Sequence, residues 1–512
     1  MKLLDCTLRD GGYYTNWDFE RELVDTYIQS FNHLPVDYLE IGYRSNPQAE
    51  YLGEYFYCPV YVMERLKDES NKKLAIILNE KDVKKEDVGS LLAPCSSLID
   101  LIRIAVNPAN FERALGLGKA IKKLGFEVSF NVMYMSDWET CPGLFDLMKE
   151  TEGVVDYLYL VDSFGGVYPE DISRTIKKVR EKTDTKLGFH GHNNLEMALA
   201  NTLTAIEEGV HIVDSTVTGM GRGAGNLKTE LLLSVLHSKG IVEFDYNQLS
   251  KVTDPFQKLQ QSYRWGTNLP YIVSGANSIP QKQVMEWVTR RYFSFNSIIR
   301  ALSNESKGID DNQQLPQLDI TDKEKFDAAL IVGGGPSAPG HADAVVEFLK
   351  RHPETIIIHA SSKNALVFND ISNKQIFCLV GNEGHRLEQV FGNIKDLDSI
   401  CVLPPYPRTM GTYIPRVLEN NAYELNEIIF TDSLHEAHTT IAIQTVIELR
   451  IKQVYVTGYD GYSGGSITER EQELFRENEY IFKKAKEKGL QLQSITPTKY
   501  EQLQPASVYA GL

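Results

Sequence analysis

Residues 188–194 read Gly-Phe-His-Gly-His-Asn-Asn, and they close a short apolar run of the kind that forms a strand. Alternate side chains of a strand share a face, so His190 and His192 would point the same way. Two neutral imidazoles and one carboxylate commonly hold a catalytic divalent metal and leave positions open for water and substrate. Residues 4–12, Leu-Asp-Cys-Thr-Leu-Arg-Asp-Gly-Gly, offer the carboxylate of Asp10 beside the fixed cation of Arg9. An isolated His-x-His pair recurs often by chance, so the surrounding pattern has to bring these residues together.

The surrounding pattern is a repeat of a short apolar run, a polar turn and a longer amphipathic segment. Eight runs predict strands: Lys2–Thr7, Val36–Gly42, Lys73–Leu78, Leu98–Ala105, Glu127–Met133, Asp156–Val161, Lys186–His190 and His211–Val217. Eight strand–helix units over roughly 230 residues are typical of a (β/α)8 barrel, an α/β fold of parallel strands joined by crossover helices.

The barrel prediction gathers the polar residues at one place. Active sites of such barrels lie at the carboxyl ends of the strands. The candidate residues that follow or end predicted strands are Asp10, Glu40, Ser163, His190, His192 and Asn226, the last at the end of the glycine-rich segment 219–226. We therefore expect a single site at this rim.

The rest of the chain predicts further structure. Residues 1–302 would form the barrel with a helical extension, the polar stretch 303–325 a linker, and residues 326–512 a second, Rossmann-like α/β domain. Its predicted strands are Ala328–Val332, Thr355–His359, Gln375–Val380, Ser399–Leu403, Glu427–Phe430 and Gln453–Val456.

Composition narrows the classes of partner and compartment. The net charge of −16 argues against nucleic acid or an anionic membrane as the main partner. Six scattered cysteines without a C-x-x-C pattern fit reduced thiols. No stretch approaches the ~18 apolar residues of a membrane span, and no signal peptide is evident. We expect a cytoplasmic homo-oligomer that acts on a small molecule.

Four motifs, in order and at strand ends, carry a family resemblance. They are Thr7-Leu-Arg-Asp-Gly-Gly, Val161-Asp-Ser-Phe-Gly-Gly, Gly188–Asn194 and the segment from Glu207 to Asn226. Residues 1–300 resemble the metal-dependent lyase and synthase barrels (hydroxymethylglutaryl-CoA lyase-like), which include isopropylmalate synthase, and are most similar to 4-hydroxy-2-oxovalerate aldolase.

The resemblance implies a function and a set of roles. Asp10, His190 and His192 would bind Mn²⁺ or Mg²⁺, with Asn226 as an outer or fourth ligand. A 2-oxo acid such as pyruvate would chelate the metal, which would stabilise the enolate as a carbon–carbon bond with an aldehyde breaks or forms. Arg9 would stabilise the same charge, and Ser163 would bind the substrate carboxylate.

One position departs from the aldolase pattern. Those aldolases place a general-base histidine two residues after the first glycine of the Arg-Asp-Gly turn, where this chain has Tyr13. A phenol with an ordinary pKa of about 10 is a poor base at neutral pH. Tyr13 as acid, water-orienting group or aromatic lid, and Glu40 as the proton-transfer group, therefore stay open.

The second domain carries weaker signals. Gly334, Gly335 and Ser337 lie in a Gly-Gly-Gly-Pro-Ser loop between a strand and a helix, which could offer backbone N–H groups to a phosphate. With Asp460 in Thr-Gly-Tyr-Asp, this loop resembles the sialyltransferase-like and pterin pyrophosphokinase-like domains. That resemblance implies a nucleotide site.

Other functions remain as alternatives to a pyruvate aldolase. One is a bifunctional nucleotide-dependent transferase in surface-carbohydrate synthesis, with the barrel as an accessory. A second is a Claisen-type acyl-CoA synthase. A third is a barrel that keeps its metal for binding or assembly without catalysis.

Overall fold

The computed structural model describes residues 1–49, 51–290, 293–318, 326–392, 399–462 and 469–511. The chain divides into two compact units, residues 1–286 and 287–512, which are described separately.

The first unit contains a closed barrel of eight parallel strands, as the sequence predicted. Each strand pairs with the next along the chain, and β1 closes the ring on β8. The strands are β1 (Lys2–Asp5), β2 (Tyr38–Tyr43), β3 (Lys73–Asn79), β4 (Leu101–Val106), β5 (Glu127–Val132), β6 (Tyr157–Asp162), β7 (Leu187–Gly191) and β8 (Ile212–Ser215).

Helices connect and cover these strands. In α7 the buried residues include Phe111, Ala114, Leu115 and Gly118, a spacing that forms one apolar stripe. The helices up to the second sheet are α1 (Thr7–Asp10), α2 (Gly12–Thr15), α3 (Arg21–Phe31), α4 (Glu54–Tyr57), α5 (Val60–Glu69), α6 (Val88–Leu92), α7 (Phe111–Lys122), α8 (Leu144–Leu147), α9 (Pro169–Arg180), α10 (Ala198–Glu207), α11 (Thr229–Ser238), α12 (Tyr246–Tyr263), α13 (Leu269–Ala276), α14 (Gln281–Thr289) and α15 (Phe295–Ser306).

Strand alternation separates two cores in the barrel. In β4, Ile102 and Ile104 join the large core between strands and helices, whereas Leu101 belongs to the small cluster inside the barrel. Arg103 shares the face of Leu101 and is completely buried. A charged side chain thus lies in the barrel interior next to the small apolar cluster.

Asp5 ties the end of β1 to three neighbouring segments. Its carboxylate accepts hydrogen bonds from the hydroxyls of Thr7 (2.6 Å), Tyr27 (2.7 Å) and Thr229 (2.6 Å). Complete burial nevertheless raises the pKa of Asp5 to about 6, because the interior penalises the charged form.

The second unit is built on an eight-stranded parallel sheet in the order β13-β12-β11-β10-β9-β14-β15-β16. Its strands are β9 (Ala328–Val332), β10 (Thr355–His359), β11 (Gln375–Cys378), β12 (Ile400–Leu403), β13 (Ala422–Glu424), β14 (Gln453–Thr457), β15 (Gln491–Ser494) and β16 (Gln504–Pro505). Its further helices are α16 (Ser337–Gly340), α17 (Ala342–Arg351), α18 (Glu383–Phe391), α19 (His438–Glu448) and α20 (Glu469–Glu487). The prediction of a second α/β domain is confirmed.

Two expectations for this part of the chain need correction or restriction. The strand predicted at Glu427–Phe430 is wrong, since β13 lies earlier in the chain. The N–H of Ile429 donates to the side chain of Gln444 (3.1 Å) instead of to a neighbouring strand. Residues 303–306 of the predicted linker end α15, and Gln317 forms a bridge with Glu424. Residues 319–325 of that linker lie outside the described residues.

Two further observations bear on the sequence expectations. All six cysteines carry free thiols. Within the described ranges, no helix combines the length and the apolar character that crossing a membrane requires.

We predict that Asp5→Asn changes the pH dependence of stability. The raised pKa of Asp5 means that its contribution is fully present below the usual value of 3.8 and is lost as the pH rises through about 6. The free energy of unfolding of the variant should therefore rise relative to wild type by about 2 kcal/mol between pH 4 and pH 6. Urea unfolding followed by tryptophan fluorescence measures this, and parallel pH profiles for the two proteins would contradict it.

Candidate active site

A cavity of about 310 Å³ lies at the carboxyl ends of the barrel strands. Six of the residues that the sequence singled out line it, namely Arg9, Asp10, Tyr13, Ser163, His190 and His192. The rim predicted from the strand pattern therefore contains one cavity that these side chains share.

Asp10, His190 and His192 form a compact group of possible metal ligands. One ligand atom from each residue lies within 4.8 Å of the others, and all three residues are buried. The Nε2 atom of His190 is 3.8 Å from Oδ2 of Asp10.

Both imidazoles are oriented by hydrogen bonds at Nδ1. The Nδ1 of His190 lies 2.9 Å from Oδ2 of Asp214, and the Nδ1 of His192 lies 2.7 Å from the carbonyl oxygen of Asp162. A carbonyl oxygen only accepts, so Nδ1 of His192 carries the proton and Nε2 keeps its lone pair. Burial lowers the pKa of His192 to about 3, which favours the neutral ring that metals bind.

Asn226 completes the polar group around Asp10. Its Nδ2 donates a hydrogen bond to Oδ2 of Asp10, while its Oδ1 is buried and has no hydrogen-bond partner in the part of the chain that the structure describes. An unpartnered buried oxygen beside two imidazoles and a carboxylate fits a divalent cation that accepts mixed nitrogen and oxygen ligands. The residues present thus suit a divalent cation.

A second possible ligand group shares His190 but suits a metal less well. Cys6 and Asp214 lie close to the other side of that imidazole. Burial raises the pKa of the Cys6 thiol well above its usual range, whereas metals bind the thiolate. The Asp10 side of His190 is therefore the better site.

Buried ion pairs link the two sides of this group through the barrel interior. Arg9 donates from Nη1 to Asp10 (2.5 Å) and from Nε to Glu40 (2.8 Å). Arg103 donates from Nη1 to the same Glu40 oxygen (2.9 Å) and from Nη2 to Asp214 (2.5 Å). Since Asp214 contacts His190, the chain of charges runs from one metal-ligand candidate to another.

The ion pairs keep the carboxylates charged. Burial alone would raise the pKa of Asp10, but Arg9 and the two histidines hold it well below its usual range. Burial likewise opposes the charge on Asp214, and Arg103 outweighs it, so the pKa of Asp214 is also lowered. Both groups are carboxylates at neutral pH.

Tyr13 and Ser163 occupy the cavity wall. The hydroxyl of Tyr13 lies 3.1 Å from that of Tyr43, and the guanidinium of Arg222 lies over the Tyr13 ring at 5.0 Å. The Ser163 hydroxyl accepts a hydrogen bond from the backbone N–H of Tyr134 (2.8 Å). Its own proton has no acceptor among the described residues and can be donated to a ligand.

The glycine-rich segment after β8 allows close packing at the site. A Cβ on Gly221 would lie 2.5 Å from Nδ2 of Asn226 and 3.1 Å from Oδ2 of Asp10. A larger residue would displace both groups, so glycine at this position is required by the approach of the backbone to the site.

Glu40 differs from its predicted place. It is completely buried and does not line the cavity, although its neighbour Arg9 does. Its Oε2 is held by Arg9 and Arg103. The structure therefore puts Glu40 behind the site, where it can position Arg9.

Arg103 and Asp214 were missed as site residues by the sequence reasoning. Arg103 lies in a predicted strand that is otherwise mostly apolar, and Asp214 in one of mixed apolar and polar residues. A charge at an interior strand position was the available signal, but the partner of each charge comes from a distant strand.

The second unit contains a separate cavity of about 570 Å³ that Gly334, Gly335 and Asp460 line. It lies beyond the carboxyl ends of β9 and β14, where the order of the sheet reverses, a common ligand position in such sheets. The N–H groups of Gly335 and Ser337 already donate to Gly458 O (2.8 Å) and Asp460 Oδ1 (3.0 Å). Among the three residues predicted to offer backbone N–H groups to a phosphate, only Gly334 has an N–H without a partner in the described residues. Lys363 also lines the cavity.

Comparison with known proteins identifies the first half of the chain. The HMGL-like family model matches residues 81–255. An oxaloacetate decarboxylase of Mycobacterium tuberculosis is 30% identical over 246 residues, which cover 46% of this chain and 70% of the relative. The chain belongs to the HMGL-like family. A 4-hydroxy-2-oxovalerate aldolase of Thermomicrobium roseum is 31% identical over 247 residues, 47% of this chain and 67% of the relative.

A solved structure gives a further similarity for this HMGL-like barrel. The N-terminal domain of a candidate aldolase from Bacteroides vulgatus is 53% identical, with a TM-score of 0.56. The match covers 59% of this chain and all of that domain (100%).

We predict that Arg103→Met destabilises the barrel. The substitution leaves Asp214 without its cation and Glu40 with only Arg9, and breaking a buried ion pair costs about 3–5 kcal/mol. The triple variant with Glu40→Gln and Asp214→Asn should recover most of this loss, because no carboxylate is then left unpaired. Urea unfolding by tryptophan fluorescence reports on the first unit, which holds three of the four tryptophans. A single variant as stable as wild type would show that the ion pairs do not stabilise the barrel.

Proposed function

We propose that this chain is a divalent-metal-dependent lyase that makes or breaks a carbon–carbon bond next to a 2-oxo acid. The observation that carries the proposal is the convergence of Asp10, His190 and His192 in the cavity of an HMGL-like barrel. The names of the relatives support it, since oxaloacetate decarboxylase and 4-hydroxy-2-oxovalerate aldolase both denote cleavage of such a bond.

Asp10, His190 and His192 would hold the cation, with Asn226 as a further ligand or as support for Asp10. A divalent cation bound there supplies Lewis-acid stabilisation of the negative charge that develops on a 2-oxo acid when the bond breaks or a methyl proton leaves. Mn²⁺ and Mg²⁺ are the candidate metals.

The charges of the site match such a substrate. Arg9 and Arg103 carry two positive charges against three negative charges on Asp10, Glu40 and Asp214. These five charges sum to minus one, and Arg222, which also lines the cavity, brings the sum to zero. A divalent cation then makes the site net positive, which favours the carboxylate of a 2-oxo acid in low-dielectric surroundings.

Individual side chains have separate tasks in this proposal. Arg9 lines the cavity while two of its nitrogens are fixed by carboxylates, so it presents a preoriented cation to developing charge. Ser163 donates its hydroxyl proton to the substrate carboxylate. Tyr13, one of the hydroxyl-bearing residues that line the cavity, would move a proton as an acid or through a water that it orients, whereas Glu40 acts as a positioning residue for Arg9.

We predict metal-dependent exchange of the methyl protons of pyruvate in D₂O. The full-length chain with Mn²⁺ or Mg²⁺ should exchange them, and removal of the metal by a chelator should abolish the exchange until metal returns. Asp10→Asn should lower the rate at least about 100-fold, since replacing even an outer-shell partner of a metal ligand costs 10–100-fold.

Asp18→Asn serves as a matched control because Asp18 is exposed and does not line the cavity. Its exchange rate should stay near that of wild type. Full exchange by chelated protein would refute the metal-dependent mechanism, and its absence in loaded protein would refute the reaction.

The cavity of the second unit favours nucleotide binding as a second candidate function. It lies where the sheet order reverses. The N–H of Gly334, which has no partner among the described residues, and the ammonium of Lys363 are available for phosphate. Asp460 adds a carboxylate oxygen, Oδ2, that is buried and unpartnered within the described part of the chain. A nucleoside diphosphate bound together with Mg²⁺ would pair its phosphates with Lys363 and its cation with Asp460.

We predict that Mg²⁺-ADP or Mg²⁺-UDP binds the full-length chain with a Kd below about 1 mM. Lys363→Ala should weaken binding at least about fivefold, because one phosphate contact is lost. Lys350→Ala on the exposed side of α17 is the control and should bind as wild type does. Calorimetry that detects no binding, or equal binding by Lys363→Ala, would exclude this site.

A further inference from the structure

The side of the active-site cavity away from the metal-ligand group has its own chemistry. The ligand candidates come from the ends of β1 and β7, with Asn226 after β8, whereas β3, β4 and β5 lie across the closed barrel. Four asparagines from the ends of those three strands line the cavity, namely Asn79, Asn107, Asn110 and Asn131.

Existing hydrogen bonds fix how each amide is turned. Asn79 and Asn110 donate from Nδ2 to the carboxylates of Asp82 (3.0 Å) and Glu80 (3.1 Å), which can only accept. Their Oδ1 atoms therefore remain as acceptors without a partner among the described residues.

The other two amides are turned the opposite way. The Oδ1 of Asn107 accepts from the backbone N–H of Ala109 (3.0 Å), and the Oδ1 of Asn131 accepts from Nε of Arg103 (3.2 Å). Their Nδ2 groups remain as donors without a partner in the described ranges. The cavity thus offers the amide NH2 groups of Asn107 and Asn131 as donors and the amide oxygens of Asn79 and Asn110 as acceptors.

This mixture discriminates between classes of ligand. Carboxylate and phosphate oxygens only accept hydrogen bonds, so they could pair with Lys81, which also lines the cavity, but would leave both amide acceptors unpaired. An alkyl chain would leave all four amide groups unpaired and desolvated, which is costly for each group. Hydroxyl groups both donate and accept, so a chain of hydroxyl-bearing carbons satisfies the whole set.

The cavity size agrees with a small ligand. Its volume of about 310 Å³ is at the lower end of the range for ligand pockets. Ile77, Ala105 and Met133 supply apolar surface on the same side, suited to the carbon skeleton of such a chain.

We propose that this asparagine-lined half of the cavity binds a polyhydroxylated carbon chain. The bond made or broken would then join the 2-oxo acid to a hydroxyaldehyde of the sugar type. In the forward aldol addition, the methyl carbon of the 2-oxo acid loses a proton and forms a bond to the aldehyde carbon, whose oxygen takes up a proton. The inference rests on the proposed function and deepens it by naming the class of the second substrate.

The test compares the two enantiomers of glyceraldehyde as acceptors for pyruvate. Enantiomers have the same intrinsic reactivity, so a difference between them reports contacts of the protein with the groups on the hydroxyl-bearing carbon, and the asparagine variant below tests whether an amide makes those contacts. With full-length, Mn²⁺-loaded protein we expect kcat/KM to favour one enantiomer at least about tenfold, the effect of about 1.4 kcal/mol from one to two hydrogen bonds.

Asn107→Ser should reduce that enantiomer ratio at least about threefold. Serine keeps an oxygen for the N–H of Ala109, since it caps helices well, but removes the amide donor. Asn247→Ser is the matched control, because Asn247 is exposed on α12, and its ratio should equal that of wild type.

The outcomes separate this inference from the proposed function. Exchange of the pyruvate methyl protons together with a ratio within twofold, or with no addition to either enantiomer, overturns the hydroxyaldehyde inference and leaves the lyase proposal in place. If the protein shows neither proton exchange nor aldol addition, both the lyase proposal and the hydroxyaldehyde inference are overturned. An unchanged ratio in Asn107→Ser also contradicts the assigned role of the asparagines.

Discussion

The paired charges of Arg103 with Glu40 and Asp214, inside the barrel, are the interaction on which the site depends. Arg103 is completely buried, and water cannot solvate it or its partners. Charges in such surroundings persist only when they are paired, so each carboxylate needs its guanidinium. Because Glu40 also holds Arg9 and Asp214 also holds His190, one buried network sets the orientation of a cavity cation and of a metal-ligand candidate.

Rigid elements, rather than mobile side chains, provide this orientation. The acceptors of the two imidazoles, Asp214 and the carbonyl of Asp162, both belong to barrel strands. Ligands held by strands keep their geometry better than ligands held by loops, and outer hydrogen bonds to metal-binding histidines tune their affinity. The proposed chemistry therefore follows from the barrel architecture together with a balanced set of charges that a divalent cation makes net positive.

Sequence periodicity was sufficient to predict the strands of the barrel, but it could not predict which buried charged side chains pair with one another. All eight barrel strands were predicted because each combines an apolar run with a following turn, and the His190–His192 spacing gave their common face. The network of Arg103 was missed because its partners come from other strands and only the closed barrel brings them together. The strand predicted at Glu427–Phe430 failed for a related reason: side chains of α19, such as Gln444, satisfy backbone N–H groups that a ladder would otherwise need.

The central claim is that the buried charge network and the histidine pair form a metal centre. Anomalous diffraction at the manganese edge, from crystals of the full-length chain grown with Mn²⁺, tests it most directly. The account predicts one strong peak within bonding distance of a carboxylate oxygen of Asp10 and of Nε2 of both His190 and His192. A peak elsewhere in the barrel, or an empty site at saturating Mn²⁺, would contradict it.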